Sequence, residues 1–461
     1  MKGKTRSNLR KDGRQSKNRL KSQKNVSDKK LYIPVKNKFT ISIFAGLLWT
    51  FVSIYFSIPW VNDLAARITY PAAILIIAGI AYIPGYMNAF MVSSLLLDRQ
   101  PKIKNSAPKV PVTVLIACYN EENSIEDTVK YVAAQDYEGE IRIIVIDNNS
   151  KDNTSEAARK AGEKMNLNLT VIEEKKPGKN FALNAALKHV ETEYVLTLDA
   201  DTLLHKSAIR NIVSRIESSP SDVCAVAGTV LVRNSRGNML ARIQEWDYFL
   251  GIASIKRLQG LFQSTLVAQG AFSLYRTDIV KMVGGWPDAI GEDIVLTWSF
   301  LKNNCRVYFE PLAVAFTDVP TSLKHFFRQR SRWARGMVEA LRLFKPWSHP
   351  IYSTKYLTSC NLFMPFMDIT YTFCWLPGLI LAFFGHYWIV GPATIFVIPL
   401  ALTQNYILYN YQKGVFRSLK LRVRKNIMGF ILYVLCYQLL MSPISVWGYI
   451  QESLKLRRIW K

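Results

Sequence analysis

Tyr194-Val195-Leu196-Thr197-Leu198-Asp199-Ala200-Asp201 is the stretch whose reading decides the fold. An uncharged run suited to a buried strand passes directly into two carboxylates separated by one small residue. The same grammar recurs upstream. Residues 112–117, 141–146 and 169–172 are short, β-branched and apolar, and each stops at polar residues. Between them, residues 123–135, 155–165 and 179–189 carry helical spacing. Strands and helices alternating in this way predict an α/β domain with a mostly parallel sheet covered by helices. Such sheets bind ligands beyond the carboxyl ends of their strands, which is where the polar clusters of this sequence fall.

The domain sits in an unusual chain. It has 461 residues, a net charge of +25, 49% hydrophobic residues and only 20% charged ones. Charge and apolarity therefore occupy different places. Residues 1–39 hold 14 Lys/Arg and two Asp, a basic tail with little apolar content. Apolar runs long enough to cross a bilayer, about 20 residues, occur at 40–60, 69–97, 357–385, 386–411 and 427–450. Five spans are predicted, with Pro84-Gly85 marking a kink in the second and Asp368 the one acid in the third. Lys and Arg mark the cytoplasmic side. The tail, the segment 98–350 and the basic loop 413–425 are thus expected inside, at the cell membrane. A complete fifth span would carry Lys455, Arg457, Arg458 and Lys461 outside, so the last segment is open between a crossing and an interfacial or re-entrant course. The sequence divides as a basic tail (1–39), two membrane helices (40–97), a catalytic domain (98–320), amphipathic interface helices (321–350) and about three membrane or interfacial helices (351–461). The positive excess records topology and attraction to anionic lipid; it is not a nucleic-acid signal. The six Cys stand at 118, 224, 305, 360, 374 and 436 without metal-ligand spacing, and are expected to be reduced.

Six clusters could carry chemistry. Tyr119-Asn120-Glu121 follows the first strand and combines a ring, an amide and a carboxylate suited to a planar base; a helix cap would use Asn120 equally well. Asp147 to Thr154 is rich in acceptors, for a base and ribose or for a turn. Lys175 to Asn180 opens a helix with a basic turn, which suits phosphate, Lys179 included. Asp199-Ala200-Asp201 offers hard oxygen ligands to Mg²⁺ or Mn²⁺ on a diphosphate. Gly291-Glu292-Asp293 pairs acids whose mutual repulsion and burial can raise a pKa for general-base work. Gln329-Arg330-Ser331-Arg332-Trp333 places a guanidinium fork beside an indole face, for phosphate and sugar, or for a membrane surface.

Taken in order, these clusters resemble the membrane-embedded processive family-2 glycosyltransferases, which include cellulose, chitin, hyaluronan and poly-N-acetylglucosamine synthases. The resemblance covers roughly residues 110–340, and its most specific element is the Q-x-x-R-W pattern of Gln329 to Trp333. It implies a GT-A-like domain inserted between transmembrane helices of an integral membrane protein. It also implies roles. Tyr119, Glu121 and Asp147 would bind the uridine donor, with Lys179, Asp199 and Arg332 toward its diphosphate. Asp201, helped by Asp199, would hold Mg²⁺ or Mn²⁺. Asp293, with Glu292 beside it, would be the catalytic base. Gly270, Gln329 and Trp333 would face the acceptor. Two departures are Ala117, where many members have Pro, and Gly291, where many have Thr before the acid pair. The short segment after the last span leaves no room for a C-terminal nucleotide-sensing domain and points away from bacterial cellulose synthases, toward the bacterial poly-N-acetylglucosamine synthases. The implied reaction is inverting polymerisation of a UDP-sugar, UDP-N-acetylglucosamine first, into a β-linked polysaccharide that is exported. The partners would be the growing polymer and anionic lipids, with room for a small accessory membrane protein. The alternatives are a single-sugar transferase acting on lipid and, in another class, a membrane-tethered binder of acidic polymers.

Overall fold

The computed structural model describes residues 33–98, 101–391 and 397–456. Most of the basic tail, residues 1–32, lies outside the described residues. Two apolar helices lead in: α1 (Val35–Ala65) and α2 (Tyr70–Leu96). Where a kink is expected in α2, the helix passes through a π-helical turn, Ala78–Tyr82, just before Pro84. Proline has no N–H to give and crowds the carbonyl four residues back, so the helix widens ahead of it.

The alternating half of the domain follows as β1 (Val112–Cys118), α3 (Ile125–Ala133), β2 (Ile141–Asp147), α4 (Thr154–Lys164), β3 (Leu169–Glu173), α5 (Lys179–Leu187) and β4 (Tyr194–Asp199). Each strand extends one residue beyond its apolar run. The ladder itself carries the chain into the polar cluster, through Cys118↔Asp147, Ala117↔Asp199 and Asp147↔Glu173.

The second half adds β5 (Leu203–Leu204), α6 (Ala208–Glu217), β6 (Val223–Val232), α7 (Met239–Trp246), α8 (Ala253–Leu261), β7 (Phe272–Arg276), α9 (Thr277–Met282), α10 (Glu292–Lys302) and β8 (Arg306–Thr317). A second π-helical turn, Asp247–Ile252, joins α7 to α8. The eight strands lie in the order β3-β2-β1-β4-β7-β6-β8-β5. β7 runs antiparallel to both its neighbours and β5 antiparallel to β8; the remaining pairs are parallel. The sheet is thus GT-A-like, mixed and mostly parallel.

Both faces are covered, as expected for parallel strands. Val114, Ile116, Leu196 and Leu198 face one apolar cluster with Ile209 and Ile212 of α6. Leu115, Ile144 and Ile146 face the other, with Leu183, Trp286 and Trp298. Within β8, Glu310 to Ala313 bulge between Phe309 and Val314, opposite the single residue Gly228 of β6. A side chain on Gly228 would run into the Phe272 ring.

One expectation is overturned here. Cys224 in β6 and Cys305 just ahead of β8 form a disulfide, while Cys118, Cys360, Cys374 and Cys436 are free. The two lie 81 residues apart in sequence, and only the parallel β6–β8 pairing, Val223↔Arg306, brings them together.

After the domain come α11 (Leu323–Leu343), α12 (Tyr352–Phe383), α13 (Val397–Ser418) and α14 (Ile427–Ser453). Among the described residues four helices are long and apolar enough to cross a membrane: α1, α2, α12 and α14. The predicted span 386–411 is not among them. Residues 386–391 are irregular, 392–396 lie outside the described residues, and α13 turns onto the sheet domain. Gln412 donates to the Phe249 carbonyl at 3.1 Å, and Leu408, Val415 and Leu419 pack with Leu231 and Phe249.

Helix α14 qualifies by length, yet both its ends touch the sheet domain and its covering helix. At its start, Asn426 Nδ2 donates to the Arg242 carbonyl and to Glu245 Oε2, at 2.9 and 2.6 Å. At its end, Glu452 pairs with Arg335 at 3.4 Å and Arg342 at 3.2 Å of α11. Its outward residues Ile431, Leu435, Leu440 and Trp447 are apolar. Both ends are thus held against the domain, although the helix is apolar enough along its length to cross a membrane. Cysteines placed at Lys425 and Lys455 are therefore expected to react with an impermeant maleimide from the same side of sealed vesicles. Labelling from opposite sides would show a crossing.

Candidate active site

The loops after β1 and β2 are sewn together by side chains. Asn120, with a φ of 56°, accepts from the Lys151 N–H at 2.8 Å through Oδ1, and its own N–H donates to Ser150 Oγ at 3.0 Å. Asn tolerates this left-handed backbone better than most residues. Glu121 Oε2 accepts from Ser124 Oγ at 2.6 Å. Tyr119 is left 36% exposed at the rim of the loop. Asp147 is buried, taking the Ser150 N–H at 2.8 Å on one oxygen and Ser155 Oγ at 2.5 Å on the other. The turn-forming use of Asp147 is thus realised, and its unused lone pairs remain for a ligand.

Asn148, which the sequence placed in a cluster without a role of its own, fastens the next loop. Its amide donates to the carbonyls of Glu174 and Lys176, at 3.0 and 2.7 Å, and its oxygen accepts from the Gly178 N–H at 2.7 Å. Gly178 has a φ of 138°, and this turn launches α5 so that Lys179 points across the ends of β4 and β7. The Lys179 ammonium binds Asp199 Oδ1. Burial works to lower its pKa, but Asp199, Glu292 and Asp293 outweigh that and raise it.

Asp201 sits beyond the end of β4, accepting from Thr202 Oγ1 at 3.3 Å and Thr317 Oγ1 of β8 at 3.2 Å. Burial, then the charges of Asp199 and Glu121, push its carboxyl up to about 6. Glu292 and Asp293 open α10. Glu292 is 6% exposed, and burial followed by the neighbouring Asp293 charge drives it up to about 7, against the pull of Lys179 and Arg332. Asp293 is more open and accepts from the N–H groups of Ile294 at 2.8 Å and Gly270 at 3.4 Å. A Cβ on Gly270 would stand 2.8 Å from the Lys179 ammonium, so a side chain there would displace that ammonium. One partly buried cation thus links the acid at the end of β4 to the acid pair of α10.

Behind this group lies Lys256 of α8, which carried no recognisable signal in the sequence. Its ammonium donates to the Val267 carbonyl at 3.1 Å, and burial lowers it to about 7 while Asp293 draws it the other way.

Helix α11 supplies the remaining wall. Trp333 is 39% exposed and Arg332 is exposed beside it. Gln329 Oε1 is buried with no hydrogen-bond partner among the described residues. Arg330, an unmarked position inside the motif, is the buried one. It bonds Asp247 Oδ2 at 2.8 Å, and its guanidinium lies 4.1 Å from the Trp333 ring centre, within cation–π range. α11 meets α10 backbone to backbone: a Cβ on Gly336 would stand 3.0 Å from Gly291 Cα. This contact accounts for Gly at position 291. Gly336→Val is expected to destabilise by about 1–3 kcal/mol, the usual cost of overpacking. The strain falls on the turn holding Glu292 and Asp293, so the initial rate of transfer should drop further than the thermal unfolding midpoint accounts for.

The structure sets the twelve predicted residues around three neighbouring strand ends and the start of α10, with α11 alongside; Glu121 bonds Ser124 within its own loop, and its charge reaches Asp201. The family described as "Glycosyltransferase like family 2" matches residues 108–336. The poly-beta-1,6-N-acetyl-D-glucosamine synthase of Staphylococcus epidermidis is 31% identical over 312 residues, 66% of this chain and 74% of that one. The chain belongs to the family-2 glycosyltransferases.

The corresponding synthase of Staphylococcus aureus is 34% identical over 271 residues, 56% of this chain; the match spans 65% of that protein's length, just under two thirds. A mannosyltransferase from Pyrobaculum calidifontis, solved with GDP-Man and Mn²⁺, shares the fold. Its TM-score is 0.58 at 20% identity, covering 86% of this chain and 100% of that one. As a family-2 glycosyltransferase the protein is an enzyme, which sets aside the acidic-polymer binder.

Proposed function

We propose that this glycosyltransferase polymerises a UDP-sugar, UDP-N-acetylglucosamine first, into a β-linked polysaccharide by inverting transfer, and passes the polymer across the membrane. The observation that carries the reading is the convergence of Lys179, Asp199, Gly270, Glu292 and Asp293 in a chain resembling poly-N-acetylglucosamine synthases.

In this reading Tyr119 stacks on the uracil, and Glu121 and Asp147 order the loops around the nucleoside. Lys179 and Arg332 meet the diphosphate. Gln329 and Trp333 hold the acceptor ring, over the backbone of Gly270. Asp293 takes the proton from the acceptor hydroxyl. The freed oxygen attacks the anomeric carbon, the bond to the diphosphate oxygen breaks with its electron pair, and UDP leaves with both phosphates. A single displacement inverts the α-linked donor to a β-linked product. The leaving charge develops beside Lys179 and Arg332, fixed cations that need no reorganisation.

Among the described residues no three His, Cys, Asp or Glu side chains form a ready metal cage. Mg²⁺ or Mn²⁺ on a diphosphate needs only one or two protein carboxylates, the rest being water and phosphate oxygen. Asp201 and Asp199 fit that demand, since crowded negative charge already burdens Asp201. A bound metal there would supply Lewis-acid stabilisation to the leaving diphosphate.

The test is incubation of purified protein with each UDP-sugar and Mg²⁺ or Mn²⁺, with products sized. A long polymer from UDP-N-acetylglucosamine supports the proposal. A single glycolipid would replace it with the one-step transferase.

The acid pair also sets a pH response. Glu292 is carried from 4.5 up to about 7, so it is protonated in the folded chain over that interval. Its ionisation near the top of the range adds negative charge beside Asp293 and strengthens that base. The transfer rate should therefore rise as pH climbs through about 7. Glu292→Gln should flatten that rise in a rate profile taken at saturating donor.

A further inference from the structure

A cavity of about 500 Å³ lies away from the site, between the β5 edge of the sheet, α7 and the loop joining α13 to α14. None of the twelve residues assigned above lines it. Its walls include Leu203, Leu204, Trp246, Phe249, Phe316 and Phe416, an apolar and largely aromatic surface. Its rim is cationic. Lys206, Arg422 and Arg424 are exposed, and none of the three is placed in an ion pair among the described residues. The other rim charges are already matched. Arg233 is held by Asp318 at 2.5 Å, and the one acid, Glu245, by Arg236 at 2.9 Å. Three residues beyond Arg424 of the rim, α14 begins with Ile427 and Met428, both apolar and exposed at 71% and 54%. The rim is thus contiguous with the start of a membrane-associated helix.

We propose that this cavity binds one anionic phospholipid, its phosphate on Lys206, Arg422 and Arg424 and the upper part of an acyl chain along the aromatic wall. Apolar walls under an unpaired cationic rim match the two halves of such a molecule. The site would also bear on the enzyme's acids. β5 begins after one residue beyond Asp201, and the ring of His205, next in the chain, lies toward the Leu419 carbonyl at the end of α13. A lipid bridging loop and strand would hold that turn in one position.

The full-length protein is reconstituted in nanodiscs of phosphatidylcholine with phosphatidylglycerol, extracted into detergent, and weighed by native mass spectrometry. One tightly retained phosphatidylglycerol per chain is expected. Arg422→Gln with Arg424→Gln removes two exposed charges without disturbing the core. At about 1 kcal/mol per cation near the phosphate this weakens retention about thirtyfold. Lys29→Gln with Lys30→Gln in the tail, the same loss of charge, should leave retention unchanged. Equal retention in the rim variant overturns the proposal. So does displacement of the lipid by soluble glycerol phosphate at comparable concentration, which would mark a simple phosphate site. The readout is bound lipid, so it stands or falls apart from the assigned reaction.

Discussion

Asp293→Asn is expected to slow sugar transfer by about 10²–10⁴-fold, the range attributed to a lost general base, while UDP still binds. The amide oxygen can go on accepting from the Ile294 and Gly270 N–H groups, so the turn keeps its shape and only basicity is lost. Glu292 cannot take over. It is 6% exposed, and the Lys179 charge that binds Asp199 also pulls on it. Initial rates with radiolabelled donor, alongside equilibrium dialysis of UDP, separate chemistry from binding. Near-normal turnover would remove Asp293 from the role, and a larger loss in Glu292→Gln would transfer the role to its neighbour.

Glu310→Ala should destabilise the folded protein by about 3–5 kcal/mol, the penalty for stranding one member of a buried ion pair. Glu310 stands in the β8 bulge and pairs with Arg215 of α6 at 2.6 Å, with side chains only 3% and 7% exposed. Its second oxygen takes the Leu312 N–H at 3.0 Å, and Arg215 also donates to the Pro101 carbonyl at 2.8 Å. Removing the carboxylate leaves a guanidinium in apolar surroundings. Arg215→Met combined with Glu310→Leu should recover most of the loss, because an apolar pair of similar volume needs no solvation. Thermal unfolding in detergent of the single and double variants checks both statements.

The contrast between Glu310 and the β4 stretch explains what could be read in advance. β1 to β4 are continuous apolar runs because both faces of the sheet are buried, and they end where the ladder delivers acids to the site. β8 hides its nature behind Glu310-Pro311, a charge and a residue without an N–H, both of which argue against an interior strand until the bulge and Arg215 are known. The Cys224–Cys305 bridge is invisible for a related reason: spacing says nothing when pairing is set by strand order. At the site, residues at strand ends and in a recognised motif were legible. Lys256 was not, nor were the roles of Asn148 and Arg330 within their clusters, since each acts by holding backbone or ring in place, and a buried Lys or Arg looks like any other in a sequence.

The contact of Gly291 with Gly336 leaves no padding between α10 and α11. Asp293 and Trp333 are thereby mounted on one rigid frame, separated by a span that neither helix can alter without parting from the other. If Trp333 carries the end of a sugar chain, that frame works as a gauge of fixed length. After each bond is made, the newly added ring must itself slide by one unit to bring a fresh hydroxyl to the base, since the gauge cannot stretch to follow it.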